Sequence, residues 1–342
     1  MRIRGLIYLG ILIMGTACKN DDIQVLPSSE WPALMEIPTG FPEVPEPSDN
    51  AFTKERWELG KRLFFDKRFS SDQSISCASC HKQSIAFSDD VAKSIGVENR
   101  TGFRNAPSLT NVAYHPYYTR EGGIQSLEQQ IAVPIQEHDE FNNNIVELAA
   151  LLQADPDINQ QALNAYGRAF DPYVLTRALA CFERSFISGF SPYDLYINNI
   201  DQEAMSDIAL RGMDLFFSDE LACSSCHSGF NFTNYAFENN GLYLTYADSG
   251  RYRLTFDTLD IARFKVPSLR NIELTAPYMH DGSIVSLEEV IDHYATGGFN
   301  HKQKSNLIQG FELNNSDKQA LQAFLESLTD DTFITNPIFA EP

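Results

Sequence analysis

Apolar residues recur at helical spacing along most of the chain and alternate at strand spacing almost nowhere. Between residues 172 and 190, Val174, Ala178, Cys181, Phe182 and Phe186 share one face, which predicts a buried helix. Near the C-terminus Ala320, Leu321, Phe324, Leu325 and Leu328 do the same, behind a start signal at Ser316-x-x-Gln319. Two further helices should open at Ser126-x-x-Gln129 and Ser286-x-x-Glu289, each read as a capping box. Two more end in one run, Leu63-Phe64-Phe65 and Leu215-Phe216-Phe217. Strand patterning is confined to Tyr243–Phe256, where a short hairpin would fit. The expected fold class is mostly α.

The pattern repeats. Asn105-Ala106-Pro107-Ser108-Leu109-Thr110-Asn111 matches Lys265-Val266-Pro267-Ser268-Leu269-Arg270-Asn271, and Ser126-Leu127-Glu128 matches Ser286-Leu287-Glu288, at a constant offset of 160 residues. Such self-similarity marks an internal duplication. The chain should therefore hold two tandem units of one kind, 51–200 and 201–335, preceded by a Pro-rich tether and wrapping arm at 18–50.

Each unit carries one Cys-x-x-Cys-His motif: Cys77, Cys80 and His81 in the first, Cys223, Cys226 and His227 in the second. This is the attachment signature of c-type haem, with two thioether cysteines and a proximal histidine for the iron. A zinc site would need two Cys pairs converging on one metal and no histidine after each pair. Two covalent haems and two cytochrome-c-like domains are the expectation.

Net charge and the N-terminus narrow the partners and the compartment. The formal net charge of −20 argues against a nucleic-acid partner and suits solubility or a basic protein partner. The N-terminus reads as a targeting segment: Arg2 and Arg4, a short apolar stretch from Leu6 to Met14, then Gly15-Thr16-Ala17-Cys18. Residues 1–17 would be a lipoprotein signal peptide and Cys18 the lipidated first residue, although Gly15 stands where such boxes usually carry Leu. Export fits the haems and places the protein in the periplasm, lipid-anchored, at the outer membrane or the cell surface. Four cysteines then hold haem and one holds lipid. Cys181 remains as a buried, inert thiol, and no disulfide is expected.

The two copies differ where it matters. An iron with histidine below it is defined by what sits above it. At the same repeat position the first unit has Pro134 and the second has Tyr294. Proline cannot ligate iron, so the first haem should be open and the second capped. Met279, His280 and the neighbouring His293 are rival ligands. Close after Pro134 stand Glu140 and His138, either of which could move a proton during peroxide cleavage. His115 and His301 carry no motif and read as surface residues.

Together LFFDKRFSSDQSISCASCH, RNAPSL, GGIQSLEQQIAVPI, CSSCHSGFNF, FKVPSLRNIELTAPYMHDGS and SLEEVIDHY resemble the bacterial di-haem cytochrome c peroxidases and MauG enzymes over about residues 50–330. The resemblance implies that Glu140 is the distal catalytic acid. It also implies an inter-haem calcium held by the Asn105 side chain and the carbonyls of Thr275 and Pro277. The sequence departs from the peroxidases three times. Val97 stands after Ser94-Ile95-Gly96 where many place a gating histidine, Tyr294 replaces the Met ligand as in MauG, and Arg120 replaces the inter-haem Trp. Tyr117 or Tyr118 could take over as a redox relay.

The reading that follows is a peroxidase reducing hydrogen peroxide to water. Its electrons would come from an external donor, a small cytochrome c or cupredoxin. The alternatives are a MauG-like oxidase of a protein or small molecule, and a non-catalytic di-haem electron carrier. A homodimer is compatible with the family.

Overall fold

The computed structural model describes residues 34–342, and the leader, Cys18 and the first part of the tether lie outside them. The fold is mostly helical, in line with the periodicity, and it has two hydrophobic cores.

Each core is built on the same crossing. In the first, the Lys54–Phe64 helix packs on the Pro172–Arg184 helix. In the second, the Asp207–Phe216 helix packs on the Asn315–Glu326 helix. A glycine sets both distances of approach. A Cβ on Gly60 would lie 1.9 Å from the Ala178 carbonyl oxygen, and one on Gly212 would lie 1.8 Å from that of Ala320. Phe182 and Phe324 stand one turn on at the equivalent contact. Both Leu-Phe-Phe runs end their helices as expected, with Phe65 and Phe217 at the C-caps.

The Pro-Ser-Leu turns join the units. Asn111 and Asn271 follow these turns, both fully buried and both at positive φ. The Asn111 amide donates to Asn231 Oδ1 of the other unit at 3.1 Å, and the Asn271 amide donates to Thr110 Oγ1 at 3.3 Å. Asn tolerates the left-handed region because its short polar side chain bonds locally, which explains why this residue stands at both positions.

The unit boundaries are less tidy than the repeat suggests. Tyr193 and Tyr196 of the Pro192–Ile197 helix pack on the second core. Phe333 and Phe339 of the tail return to the first, against Phe87 and Phe186. The arm packs across the units, with Phe41 edge-on to Tyr114 at 6.1 Å and to Phe230 at 4.7 Å.

Several local expectations need correction. No hairpin forms over Tyr243–Phe256; that stretch holds turns and the short Tyr252–Thr255 helix. Among the described residues the sheet is two-stranded, with Phe237–Glu238 antiparallel to Phe264–Lys265. The C-terminal helix is capped by Asn314 rather than Ser316, through Asp317 N–H at 2.9 Å. Ser316 is already the second residue of the Asn315–Glu326 helix, past the capping position. Ser126 and Ser286 cap their helices, but neither closes the expected box: only the serine half is made at Gln129, and the Glu289 carboxylate accepts from Val285 N–H at 3.1 Å instead.

Candidate functional site: two unequal histidine centres

In the first unit Cys77–Cys80 forms one helical turn, capped by Ser76 and Ser79, that presents His81. His81 Nδ1 lies 2.8 Å from the Phe87 carbonyl. A carbonyl only accepts, so Nδ1 carries the proton and Nε2 keeps a free lone pair. His227 repeats this arrangement with the Phe232 carbonyl at 3.1 Å. Burial lowers the pKa of both rings, which keeps them neutral as a metal ligand must be. None of the four motif cysteines is in a disulfide, so all four can form thioethers. A cleft of about 430 Å³ opens beside Cys80, bounded by Lys82, Asp89, Ile95 and Gly96. The donor set suits covalent haem in both units.

The distal sides differ. In the second unit Tyr294 sits near the end of one continuous helix, Leu287–Ala295. In the first unit the equivalent stretch breaks at Ile131 into Leu127–Gln130 and Ala132–Gln136. Pro134 has no N–H for the Gln130 carbonyl, so the ladder fails there. The chain then turns back, with Phe141 N–H on the Pro134 carbonyl at 3.2 Å, and this turn carries Glu140.

Glu140 is an exposed residue, yet the protein packed beside its carboxyl disfavours the charged form and lifts its pKa to about 7. Glu137 and Asp139 add repulsion. Cys80 feels the Glu140 charge, which puts the acid on the motif's side of the unit. The rival base His138 is exposed and held by Arg100, whose Nη1 lies 3.2 Å from Nδ1 and donates to the His138 carbonyl at 2.8 Å. Val97 is fully buried.

Around Tyr294 the rival ligands are occupied. Asn240 Nδ2 donates to Met279 Sδ at 3.2 Å, and the Asn240 carbonyl lies 3.0 Å from His293 Nε2. His280 stacks on Phe264 at 4.2 Å. Tyr294 is left facing Cys223 and Cys226, with burial raising its pKa and a hydrogen bond from the Asn240 side chain opposing that rise. Sequence reasoning missed Asn240, because its partners come from two separate segments, the Met279 turn and the helix of His293 and Tyr294.

Between the units the structure corrects two expectations about histidines. His115 is not a surface residue; its Nε2 is buried without a hydrogen-bond partner and its Nδ1 is 3.4 Å from Lys265 Nζ. Nor is His301, which packs edge-on to Tyr246 at 5.2 Å and contacts the Asn239 amide at 3.2 Å. Tyr117 stacks on Phe237 at 5.1 Å and donates to the Tyr235 carbonyl, so an aromatic set does cross the interface.

The residues expected to hold calcium fit it poorly. Thr275 and Pro277 lie in the turn that ends at His280, and the His280 carbonyl accepts from Asn105 N–H at 3.0 Å. Both Asn105 oxygens, however, already accept from Arg120: Nη2 lies 2.8 Å from the carbonyl and 2.9 Å from Oδ1.

Residues 54–202 match the family model described as di-haem cytochrome c peroxidase. The chain is 36% identical over 289 residues to the methylamine utilization protein MauG of Methylorubrum extorquens, covering 83% of this chain and 81% of that one. It is 31% identical over 295 residues to a cytochrome c551 peroxidase of Nitrosomonas europaea, covering 84% and 82%. Among solved structures, a MauG-like protein associated with microbial copper homeostasis superposes with a TM-score of 0.85 at 34% identity, covering 90% of this chain and 98% of that chain. With two haem-binding units, two equivalent helix crossings and relatives on both sides of the peroxidase–MauG divide, this chain belongs to the di-haem cytochrome c peroxidase and MauG family.

Proposed function

We propose that the protein is a peroxidase that reduces hydrogen peroxide to water at the His81 centre, with electrons from an external donor such as a small cytochrome c or cupredoxin. The observation that carries this is Glu140, a desolvated carboxyl with a pKa of about 7 on the Cys80 side of the first unit. The haem, attached at Cys77 and Cys80, supplies the iron that binds and reduces peroxide. Glu140 accepts the proton from the near peroxide oxygen and returns it to the departing one. General acid–base help of this kind contributes roughly 10²–10⁴-fold. His227 and Tyr294 hold the second haem, attached at Cys223 and Cys226, as the electron-entry or charge-storing centre. Buried Val97 offers no ligand to the first centre, so no prior reduction is needed to open it.

A second reading is a MauG-like oxidase acting on a protein or small molecule. Tyr294 favours it, because an anionic oxygen donor supports higher oxidation states where a Met would raise the potential. We further place the protein in the periplasm, lipidated at Cys18; a homodimer is compatible with this reading.

The test is peroxide consumption with a reduced cytochrome or cupredoxin donor, in wild type and Glu140→Gln. Full activity in the variant would remove Glu140 from the mechanism. Rapid oxidation by peroxide without turnover of any such donor would favour the oxidase reading.

A further inference from the structure

The turn at Asn105 and the turn at His280 meet tightly between the two units. Asn105 is buried, its N–H donates to the His280 carbonyl at 3.0 Å, and its Nδ2 donates to the Val91 carbonyl at 3.3 Å. Gly282 sits so close to the first unit that a Cβ on it would lie 2.5 Å from Ala92 Cα. Arg120 closes the remaining side, with Nε 3.1 Å and Nη2 2.8 Å from the Asn105 carbonyl and Nη2 2.9 Å from Oδ1. Every polar group of Asn105 thus has a protein partner.

The neighbouring acids are committed elsewhere. Asp248 and Glu121 both pair with Arg104, and Asp281 accepts from the Tyr243 hydroxyl at 2.7 Å. Calcium takes six to eight oxygen ligands at about 2.3–2.6 Å. At Asn105 a dication held by the side chain would have to share Oδ1 with a guanidinium already bound to it. In a partly buried site the repulsion between the two cations is weakly screened. The guanidinium is planar, permanently charged and presents its donors in a fork, which suits a carbonyl and an amide oxygen of one residue.

We propose that Arg120 is the resident cation of this inter-haem site, occupying the Asn105 oxygens in place of a calcium ion. The consequence is an enzyme whose haem environments do not depend on free calcium. Arg120 acts here as a positioning residue, and its cost is the loss of the redox-active side chain that the family places there.

The holoenzyme, isolated from calcium-supplemented medium and desalted, should retain substoichiometric calcium by elemental analysis. Its ferric EPR spectrum should be the same with excess calcium and with EGTA. Arg120→Gln, which keeps hydrogen bonding but removes the charge, should gain one calcium site, tightening binding by about tenfold or more over wild type in calorimetric titration. One calcium per wild-type chain, or a high-spin to low-spin change on EGTA treatment, would overturn the proposal. Should Arg120→Gln not fold, the wild-type stoichiometry and EPR decide alone. None of these measurements involves turnover, so they stand or fall separately from the peroxidase reading.

Discussion

The Val97 N–H donates to the carbonyl of Glu140 at 2.9 Å. The position where gated relatives carry a blocking histidine is therefore tied to the backbone of the proposed catalytic acid. Gly96 makes the approach possible, since a Cβ there would lie 2.1 Å from the Asp139 carbonyl oxygen. Ser94 anchors the other end of the segment, donating to Asp89 at 2.7 Å.

Gly96→Ala should push the Glu140 turn away from its place. Misplacing a catalytic group by about 1 Å can cost on the order of 10²-fold in rate. We expect kcat/KM for peroxide to fall by about tenfold or more. The absorption and EPR signals of the second haem should stay unchanged, and a change there would show that the effect is not local.

Glu140 also sets a pH dependence. Its pKa is raised to about 7, first by partial desolvation of a side chain that stays exposed and then by Glu137 and Asp139. Only the carboxylate can accept a proton, so peroxide reduction should rise with pH through about 7. Glu137→Gln removes one repelling charge and should move that limb to lower pH. The linkage to stability has the opposite sense. A carboxyl whose folded pKa is raised stabilises the fold below its unfolded value, and this is lost as pH rises through about 7. Glu140→Gln should therefore melt higher than wild type at pH 8 while losing activity, and equal melting temperatures at pH 8 would contradict the desolvated carboxyl.

Tyr294→Phe should leave the second iron without its distal ligand. EPR of the ferric protein should then show a second high-spin haem where wild type shows one. Tyr294→Met should keep six-coordination and raise the potential of that haem, by on the order of 0.1 V or more, in a redox titration. An unchanged spectrum in both variants would assign the ligand to Met279 or His280 instead.

Asn240→Leu removes the donor to Met279 Sδ while leaving the carbonyl that holds His293. Met279 then becomes free to compete with Tyr294. A mixed low-spin EPR signal and a loss of about 1–2 kcal/mol in chemical denaturation are expected, the cost of a lost part-buried hydrogen bond and packing. A single wild-type signal would mean that the helix alone orients Tyr294.

Gly60→Ala and Gly212→Ala probe the two equivalent crossings. Each inserted methyl meets a backbone oxygen that cannot swing aside. Overpacking of this kind costs roughly 1–3 kcal/mol or more. The first variant should weaken haem incorporation at His81 and the second at His227, read as haem content per chain.

The duplication, the helix runs and the two histidine motifs were legible because each is a local pattern. Leu63-Phe64-Phe65 and Leu215-Phe216-Phe217 are contiguous, and a helical face declares itself within a few turns. The Pro134–Tyr294 contrast was also legible, since the repeat aligns the two positions directly. The hairpin expected at Tyr243–Phe256 failed because Tyr243 and Tyr246 pack on His280 and Asp248 pairs with Arg104, while Leu244, Leu254 and Phe256 stay exposed. His115 and His301 were misread for a related reason: an isolated histidine gives no sign of what will cover it.

The helical class, the two haem-binding units and the inequality of their distal positions all follow from spacing along the chain. Only the tertiary structure decided which acid is desolvated, which rival ligands Asn240 occupies, and that Arg120 rather than an open oxygen site faces Asn105. Those outcomes depend on groups far apart in sequence meeting at about 3 Å, where burial and hydrogen-bond geometry fix charge and orientation.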